Sequence, residues 1–447
     1  MRVTYKTAEP ERLHARELAS TATPIAISFM AESAVLLTNT YLAGRMGVLS
    51  LAAIGLGAGI LYPLTFAGAG LASTSSALAA PYANSVLLKR RVLISGAIVC
   101  LAVTPLFIAV SFGLLYYLAI FDIDKELLRQ SSHYMLAATP LVPLVLIFSI
   151  YRGILTVEAK SSTIAHASYL SVGINALLAP LLAFFMNLGI AGLAASTAIC
   201  TFSMVAYVMF LTRNWKLESA NVNCSCTSEI ISICKRYLVL GVPVAFIGLL
   251  ESGMFLVLTG FAASFGVGLM AAHALAISIS DVVSALAFGI GEASTARLAL
   301  YRARTGGVDD WPIYRATVGL AFVVGAIAAF SIYVLQRHIL LAFVSANYYG
   351  YASEAFYTIS PTFCLFVIFD SIQSVQYRAL KGVEDVRIPL LLTSLSYWMT
   401  GVLVGIWLST QTKLGRHGIW IGLLAGVTTA AVLLHLRSIR CLRSRSS

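Results

Sequence analysis

Four carboxylic acids interrupt apolar, helix-length stretches of this sequence: Glu32, Glu251, Asp281 and Asp370. Placing a carboxylate in hydrocarbon costs about 2.5 to 3.5 kcal/mol on insertion scales, so such residues are rare and usually functional. A carboxylate in a low-dielectric cavity can hold a proton, a sodium ion or a cationic ligand, but not all of them at full strength. Exchange between these cations is therefore the chemistry that the four residues suggest.

The strongest polar stripe lies on the predicted helix that carries Asp370. Gln373, Ser374 and Tyr377 follow it at spacings of three, four and seven residues, so all four side chains share one helix face. Hydrogen bonds to a neighbouring helix would account for Gln373 and Ser374. They account poorly for Asp370, because an unpaired carboxylate inside a membrane should be protonated or bound to a cation.

A second polar stripe surrounds Glu32. Ser28 lies four residues before it and Asn39 seven residues after it, on the same helix face. Asn175, on a later apolar stretch, belongs to another stripe, which either lines a cavity or forms hydrogen bonds between helices. These residues are candidates for the wall of a polar cavity.

The remaining reactive residue types give no sign of an enzyme. The His-Glu-x-x-His motif of metalloproteases is absent, and Cys224, Cys226 and Cys234 do not match the spacing of the usual structural zinc sites. Glu292, near the predicted cytoplasmic end of its helix, is either an interfacial carboxylate or a functional one. We therefore predict no cofactor, and no bound metal other than a Na⁺ ion that the carboxylates could hold in place of H⁺.

The composition indicates what must position these residues. The chain has 447 residues, of which 59% are hydrophobic and 11% charged, with a mean hydropathy of +0.87. Soluble domains average about 45 to 50% apolar and about 25% charged residues. We predict an all-α integral membrane protein, because twelve apolar stretches are long enough to cross about 30 Å of hydrocarbon as helices. The predicted spans cover residues 21–44, 51–80, 92–118, 133–152, 163–185, 188–211, 237–265, 269–296, 313–335, 352–377, 388–409 and 417–436.

The twelve spans divide into two related halves of six. The pattern that contains Pro24 and Glu32 recurs 219 residues later, at Pro243 and Glu251. A second pattern recurs at an offset of 226 residues, where the Tyr-Arg pair ending at Arg152 matches the pair ending at Arg378. Because six spans separate them, the two repeats have the same orientation in the membrane. Two pseudo-symmetric halves that face one cavity are the expected arrangement.

The longest polar interior segment separates the halves. We predict an amino-terminal lobe at residues 1–212, a cytoplasmic linker at 213–236 and a carboxy-terminal lobe at 237–447, which ends in a basic cytoplasmic tail. The amino-terminal tail is polar, and the first apolar stretch is too long for a signal peptide, so we count that stretch as a span.

Basic residues predict the orientation of the chain. If the amino terminus and every second loop are cytoplasmic, 24 of the 30 Lys and Arg residues lie on that side and 6 on the other. Positive residues favour the inside, so both termini are predicted to be cytoplasmic in a multi-pass protein of the cell (inner) membrane. The same distribution explains the net charge of +11 without nucleic acid, since the basic residues anchor loops instead of forming one surface. We expect the lipid bilayer to surround a monomer.

These features together resemble the multidrug and toxic compound extrusion (MATE) transporters. The resemblance covers nearly the whole chain and rests on the two repeats of six spans and on a set of matching residues, which are Pro24, Ala43, Gly44, Ala52, Ala53, Glu251, Ala271, Ala272, His273, Asp370, Tyr377, Arg378 and Gly382. It implies a V-shaped pair of six-helix lobes that work by alternating access. It also implies export of organic cations or related amphiphilic small molecules against entry of H⁺ or Na⁺, with Glu251 and Asp370 as the cation-coupling pair.

Two positions depart from the family pattern. Asn39 stands where many bacterial members have an aspartate, so either Glu32 takes over ion coupling there or coupling depends on the second lobe alone. The second position is Phe366, where some Na⁺-coupled members of the family that this chain resembles have a tyrosine. Phenylalanine lacks the hydroxyl oxygen that could bind Na⁺, so this difference favours H⁺ as the coupling ion. The candidate coupling residues are therefore Glu251, Asp370 and Glu32.

The cavity that holds the substrate is expected to be aromatic and apolar with a few polar groups. Its candidate residues are Asn39, Asn175, Met254, Phe255, Asp281, Phe366, Gln373, Ser374, Tyr377 and Tyr397. One alternative function is a flippase for lipid-linked oligosaccharides or lipids of the same superfamily, which should carry Lys or Arg deep in its spans, and the sequence places essentially none there. A membrane transferase or a receptor would need a catalytic loop or a soluble domain, and neither is evident.

Overall fold

A computed structural model describes most of the chain. The described residues are 11–46, 48–83, 85–118, 125–213, 227–263, 265, 267–305, 310–343, 349–415 and 417–443. Most of the predicted linker, including Cys224 and Cys226, lies outside them. Within the described part the secondary structure is helical throughout, with no strand.

The helices are long because the apolar stretches are long, and a buried or lipid-facing backbone must satisfy its hydrogen bonds within the helix. The helices of the first half are α1 (Glu11–Met46), α2 (Val48–Ser73), α3 (Ser75–Ala79, followed by a 3₁₀ turn at Ala80–Tyr82), α4 (Val86–Leu118), α5 (Lys125–Ala138), α6 (Leu141–Val157), α7 (Ser161–Pro180) and α8 (Gly189–Leu211). Those of the second half are α9 (Thr227–Ala263), α10 (Val267–Thr305), α11 (Trp311–Phe343), α12 (Tyr349–Gly382), α13 (Arg387–Leu395), α14 (Val404–Gln411) and α15 (His417–Ser438).

The described helices supply the predicted number of membrane spans. Eleven are long and apolar enough to cross a membrane, and the bent pair formed by α5 and α6 raises the number to twelve when it is taken as one span. The prediction of an all-α protein with twelve spans is therefore confirmed. The fourth span, predicted at 133–152, consists of two helices that meet at an angle of 41°. The break falls at Thr139 and Pro140, as expected since proline lacks an N–H and disfavours helical geometry in the residue before it.

The described residues contain three wider π-type turns. One follows Pro180 at Leu181–Phe185, the second, Ser396–Leu403, joins α13 to α14, and the third, Ile439–Arg443, follows α15. Such turns are often found at functional sites because they redirect a side chain. The second turn carries Tyr397, which was predicted as a cavity residue from the sequence.

The described residues form two compact units. One comprises Ile27–Ser252, and the other comprises the described parts of Met1–Ala26 and Gly253–Ser447. The boundaries fall inside α1 and α9, the first helix of each repeat, and not in the linker. The division into lobes at 1–212 and 237–447 stays a prediction that follows the sequence repeat.

Glycines allow close helix packing within the second of these units. A β-carbon on Gly422 of α15 would lie 2.4 Å from the Cα atom of Gly405 of α14, and one on Gly382 would lie 2.6 Å from the carbonyl oxygen of Thr295. Small residues at helix interfaces are the usual means of close packing in membranes. In this way α12, α10 and the α14–α15 pair are held close enough for their polar side chains to meet.

Candidate functional site

Asp370 lies at the centre of a hydrogen-bonded group that joins three segments. Its side chain is buried on α12, where Oδ2 accepts a hydrogen bond from Ser284 Oγ of α10 at 3.0 Å. Oδ1 accepts one from Gln373 Nε2 at 3.1 Å, and Gln373 Oε1 in turn accepts one from the hydroxyl of Tyr397 at 2.8 Å. The structure thus brings together Asp370, Gln373 and Tyr397, and it adds Ser284. Among the described residues none forms an ion pair with Asp370.

Asp281 lies on α10 one turn before Ser284. Its side chain is exposed, and it makes no hydrogen bond or ion pair with any described residue. Asp281 and Asp370 are close enough to interact electrostatically. A bare carboxylate in the middle of a membrane helix cannot face lipid at reasonable cost, so this side of α10 must face water or a ligand.

The aromatic candidates differ in accessibility. Phe366 is fully buried, with its ring edge-on to Phe255 at 6.0 Å and to Trp420 at 5.7 Å between centroids. Met254 is also fully buried, beside Gly401, whereas Phe255 is half-buried. Phe366 is thus a packing residue in this structure and brings no oxygen ligand. Phe255 is the more accessible aromatic contact.

Glu251 is half-buried on α9, in the unit Ile27–Ser252. Asp370 belongs to the other unit. The pairing of Glu251 with Asp370 in ion coupling therefore stays a prediction.

Glu32 has a basic partner that the sequence analysis missed. Arg152 of α6 forms an ion pair with Glu32 through Nη2 and Oε1. The guanidinium carbon lies 4.2 Å from the ring centroid of Phe29 and 5.0 Å from that of Phe148. The repeat placed Arg152 at a helix end, where it was counted as a loop anchor, and only the packing of α6 against α1 directs it inward.

Asn39 and Asn175 meet in a neutral cluster. Asn39 Nδ2 donates to Thr197 Oγ1 at 2.6 Å and to the carbonyl oxygen of Leu193 at 3.4 Å. Its Oδ1 accepts a hydrogen bond from Asn175 Nδ2 at 3.4 Å, and the same nitrogen donates to Ser196 Oγ at 3.2 Å. Both asparagines are almost fully buried, so in this structure they join helices and do not line an open cavity.

A second group of buried charges joins α10 to α12. Lys381 Nζ lies 2.6 Å from Glu292 Oε1, and Arg378 Nε lies 3.5 Å from the same oxygen. Arg378 also donates to Ser374, through Nη1 to the carbonyl oxygen at 2.9 Å, and its guanidinium lies over the rings of Phe288 and Tyr377. Two of the predicted cavity residues, Ser374 and Tyr377, are therefore contacts of Arg378.

The structure shows neighbours of these charged residues that the sequence left open. Glu292 is buried in an ion pair, so of its two interpretations the structure favours a role inside the protein. Arg152, Arg378 and Lys381 are also buried within the protein. The expectation that essentially no basic residue lies deep in the spans stays a prediction. The sequence showed these residues near helix ends but could not show which neighbours cover them.

The described residues contain no group of three or more His, Cys, Asp or Glu side chains that could hold a metal ion. Sodium binding at Glu251 and Asp370 stays a prediction.

Comparison with known proteins places this geometry in a family. The family model described as MatE matches residues 24–181 and 243–407, two ranges that begin at the repeated prolines Pro24 and Pro243. A "Probable multidrug resistance protein NorM" of Burkholderia mallei is 26% identical over 435 residues, covering 95% of this chain and 92% of the relative. A protein of the same name from Deinococcus radiodurans is 28% identical over 441 residues, with 94% of each chain covered.

Solved structures agree at the level of the fold. The crystal structure of the eukaryotic MATE transporter AtDTX14 superimposes with a TM-score of 0.87 at 16% identity and covers 96% of each chain. The family match spans well over half of the sequence and both of its repeats. The chain belongs to the MatE family and is a multi-pass membrane transporter, not an enzyme.

Proposed function

We propose that this transporter is a secondary active multidrug exporter, in which entry of H⁺ (or Na⁺) drives extrusion of organic cations or amphiphilic small molecules by alternating access. It acts as a monomer in the cell (inner) membrane, with both termini in the cytoplasm. Support for the substrate class comes from the relatives named as probable multidrug resistance proteins. Support for the orientation comes from the distribution of basic residues between the loops.

The observation that carries the proposal is the environment of Asp370. Its carboxylate is buried between α10 and α12 and is held by Ser284 and Gln373, without an ion pair to any described residue. Arg378 acts on Asp370 electrostatically without forming an ion pair with it. A buried carboxylate with no cation in direct contact is suited to bind and release a mobile one. We assign ion coupling to Asp370 and, from the family resemblance, to Glu251.

The groups around Asp370 favour a proton over sodium. Both of its oxygens accept hydrogen bonds from donor groups, and the carbonyl oxygen of Gln373 is occupied by Tyr397. Phe366 supplies no hydroxyl. A hard cation needs several oxygen ligands at once, whereas a proton needs only the carboxylate. Proton coupling is therefore the form of the mechanism that we put forward.

Coupling follows if the two ligands stabilise different conformations. Suppose that binding of the ion to its carboxylate favours one orientation of the transporter and binding of the substrate favours the opposite one. Flow of the ion down its gradient then drives the substrate against its own gradient. Each pH unit of gradient supplies about 1.4 kcal/mol per proton. Asp281 and Phe255 are the accessible candidates for contact with the substrate, and Met254 and Phe366 would reach it only after a rearrangement.

The buried basic residues do not favour the flippase alternative. A flippase would present uncompensated cations to a diphosphate. Here Arg152 is paired with Glu32, and Lys381 and Arg378 both contact Glu292. Each of the three buried cations thus has an acidic partner inside the protein.

The test is transport by purified protein in proteoliposomes. Vesicles are loaded with a fluorescent organic cation, and either a pH gradient or a Na⁺ gradient is imposed. We expect gradient-driven efflux with the wild type, and loss of gradient dependence in Asp370→Asn and Glu251→Gln. Glu126→Gln is the matched control, because the Glu126 side chain is 44% exposed and contacts Arg129 and Gln130 of its own helix. Absence of efflux with both ions would refute the function, and normal coupling in both acid variants would refute the site.

A further inference from the structure

We infer that the first repeat of this transporter carries no coupling ion, because Arg152 neutralises Glu32 and the polar cluster at Asn39 is uncharged. The inference depends on the proposed function, since it confines ion coupling to Glu251 and Asp370 in the second repeat. Glu32 and Arg152 then form a structural ion pair, and Glu32 does not belong to the ion site.

The ion pair itself provides the first argument. A coupling carboxylate must exchange its cation in every transport cycle, and an arginine in proteins does not lose its proton. Arg152 is held between Phe29 and Phe148 and has 9% of its side chain exposed. Separating such a buried guanidinium from its carboxylate would leave an uncompensated charge. Glu32 therefore keeps one permanent cation and is not available to a mobile one.

The second argument comes from the other polar group of the first repeat, the cluster around Asn39. Asn39 cannot titrate, and its amide nitrogen already donates to Thr197 and to the backbone of Leu193. Its amide oxygen is used by Asn175. The cluster offers neither a negative charge nor a proton acceptor of useful basicity. It joins α1, α7 and α8 as a neutral hydrogen-bonded group.

Comparison of the two repeats explains why Glu32 is present at all. The repeated Tyr-Arg pattern buries an arginine in each half, Arg152 in one and Arg378 in the other, and each lies over aromatic rings. Arg378 and Lys381 both contact Glu292, which lies on the second helix of the second repeat. The position 219 residues before Glu292 is Ser73, so the first repeat has no equivalent acid there. Its arginine is compensated instead by the glutamate of the first helix, Glu32.

The experiment compares single and paired substitutions. Glu32→Gln leaves the buried Arg152 without its partner, and Arg152→Gln leaves the half-buried Glu32 without its partner. We expect each to lower the Tm in detergent, by roughly 5 °C or more for Glu32→Gln and by less for Arg152→Gln. The double variant carries no charge and keeps a hydrogen-bonding amide pair. We expect it to recover most of the lost Tm and to show ion-driven efflux within about twofold of the wild type.

A thermodynamic measurement separates this role from an ion site. The opposing substrate gradient at which net flux stops depends on the number of ions moved per substrate. We expect that gradient to be the same in the wild type and in the double variant. A stable double variant whose flux has lost its ion dependence, or whose reversal gradient has changed, would overturn the inference.

A second double variant keeps the test decisive if the first one does not fold. Glu32→Leu combined with Arg152→Met replaces the ion pair with apolar side chains, which is often neutral or stabilising. The same transport outcomes apply to it. If the wild type itself carries no gradient-driven flux, the proposed function fails; if the wild type is coupled and either stable pair is uncoupled, only the present inference fails.

Discussion

At the scale of single residues, the acids of this transporter are distinguished by their partners and not by their type. Glu32 and Glu292 each have a buried basic partner. Asp370 has two hydrogen-bond donors and no ion pair among the described residues, and Asp281 has neither. A fixed counter-ion makes a carboxylate structural, whereas a site without one can bind and release a cation. Carboxylates in one membrane protein thus have three kinds of surroundings, and we propose a different role for each.

Asp281 should select substrates by charge. Attraction between its carboxylate and a bound cation in a partly hydrated cavity is worth about 1 to 4 kcal/mol. We expect Asp281→Asn to reduce the initial efflux rate of a cationic substrate at subsaturating concentration at least about fivefold, and to leave a neutral amphiphile of similar size unaffected. Ser278→Ala, an exposed position one turn away on α10, is the control. Equal loss for both substrates would assign Asp281 to folding or coupling instead of recognition.

Glu292 should be required for stability. Glu292→Gln would leave Lys381 and Arg378 as buried cations without their shared carboxylate, and removal of one partner from a buried pair costs about 3 to 5 kcal/mol. We expect a lower Tm and reduced yield of folded protein. Glu292→Leu combined with Lys381→Met should recover part of the loss, as a double-mutant cycle in detergent would measure. An unchanged Tm in the single variant would contradict the proposed importance of this pair.

At the scale of helices, small residues determine which elements approach each other. Gly401 and Gly405 lie one turn apart on the segment that includes Tyr397, and they face Gly422 and Gly426 of α15. This is the spacing by which membrane helices pack closely. The π-type turn at Ser396–Leu403 includes Gly401, and it also carries Tyr397, whose hydroxyl donates to Gln373. A packing feature is thereby linked to the candidate ion site.

The helix contact can be tested with matched glycines. Gly422→Ala places a methyl group 2.4 Å from the Cα atom of Gly405, which is too close without movement of the backbone. We expect a loss of about 1 to 3 kcal/mol, seen as a lower Tm. Gly113→Ala on α4, where a β-carbon meets nothing within 4 Å, should be neutral or stabilising by up to about 1 kcal/mol. If both variants have the Tm of the wild type, close packing at Gly422 is not important.

At the scale of the whole molecule, the distribution of charge over the loops should determine the orientation. With 24 of the 30 basic residues on one side, the positive-inside preference is strong and comes from many loops. We expect a green fluorescent protein fused after Ser447 to fluoresce, and alkaline phosphatase fused at the same position to be inactive. Fusions in the loop that contains Lys413 should behave in the opposite way. An active phosphatase at the carboxy terminus would reverse the assigned topology.

The sequence by itself determined the class of protein, the twelve spans, the repeat and the family resemblance, because each depends on local composition or on residue order. The length of an apolar stretch predicts a membrane helix. The repeat around Glu32 and Glu251 can be recognised from residue order alone, without knowledge of how the helices pack. Asp370 could be singled out for the same reason, since its neighbours in sequence share its helix face. The bend between α5 and α6 was not predicted as such, although Pro140 is its local cause.

Only the tertiary structure decided which charges meet. Arg152 and Glu32 are 120 residues apart in sequence, and Lys381 and Glu292 are 89 apart. Spacing along a helix cannot show which other helix lies opposite. The family resemblance singled out Glu251 over Glu32, but only the structure paired Glu32 with Arg152. The electrostatic energy of a buried carboxylate depends on the neighbour a few ångströms away, and that neighbour is a property of the fold.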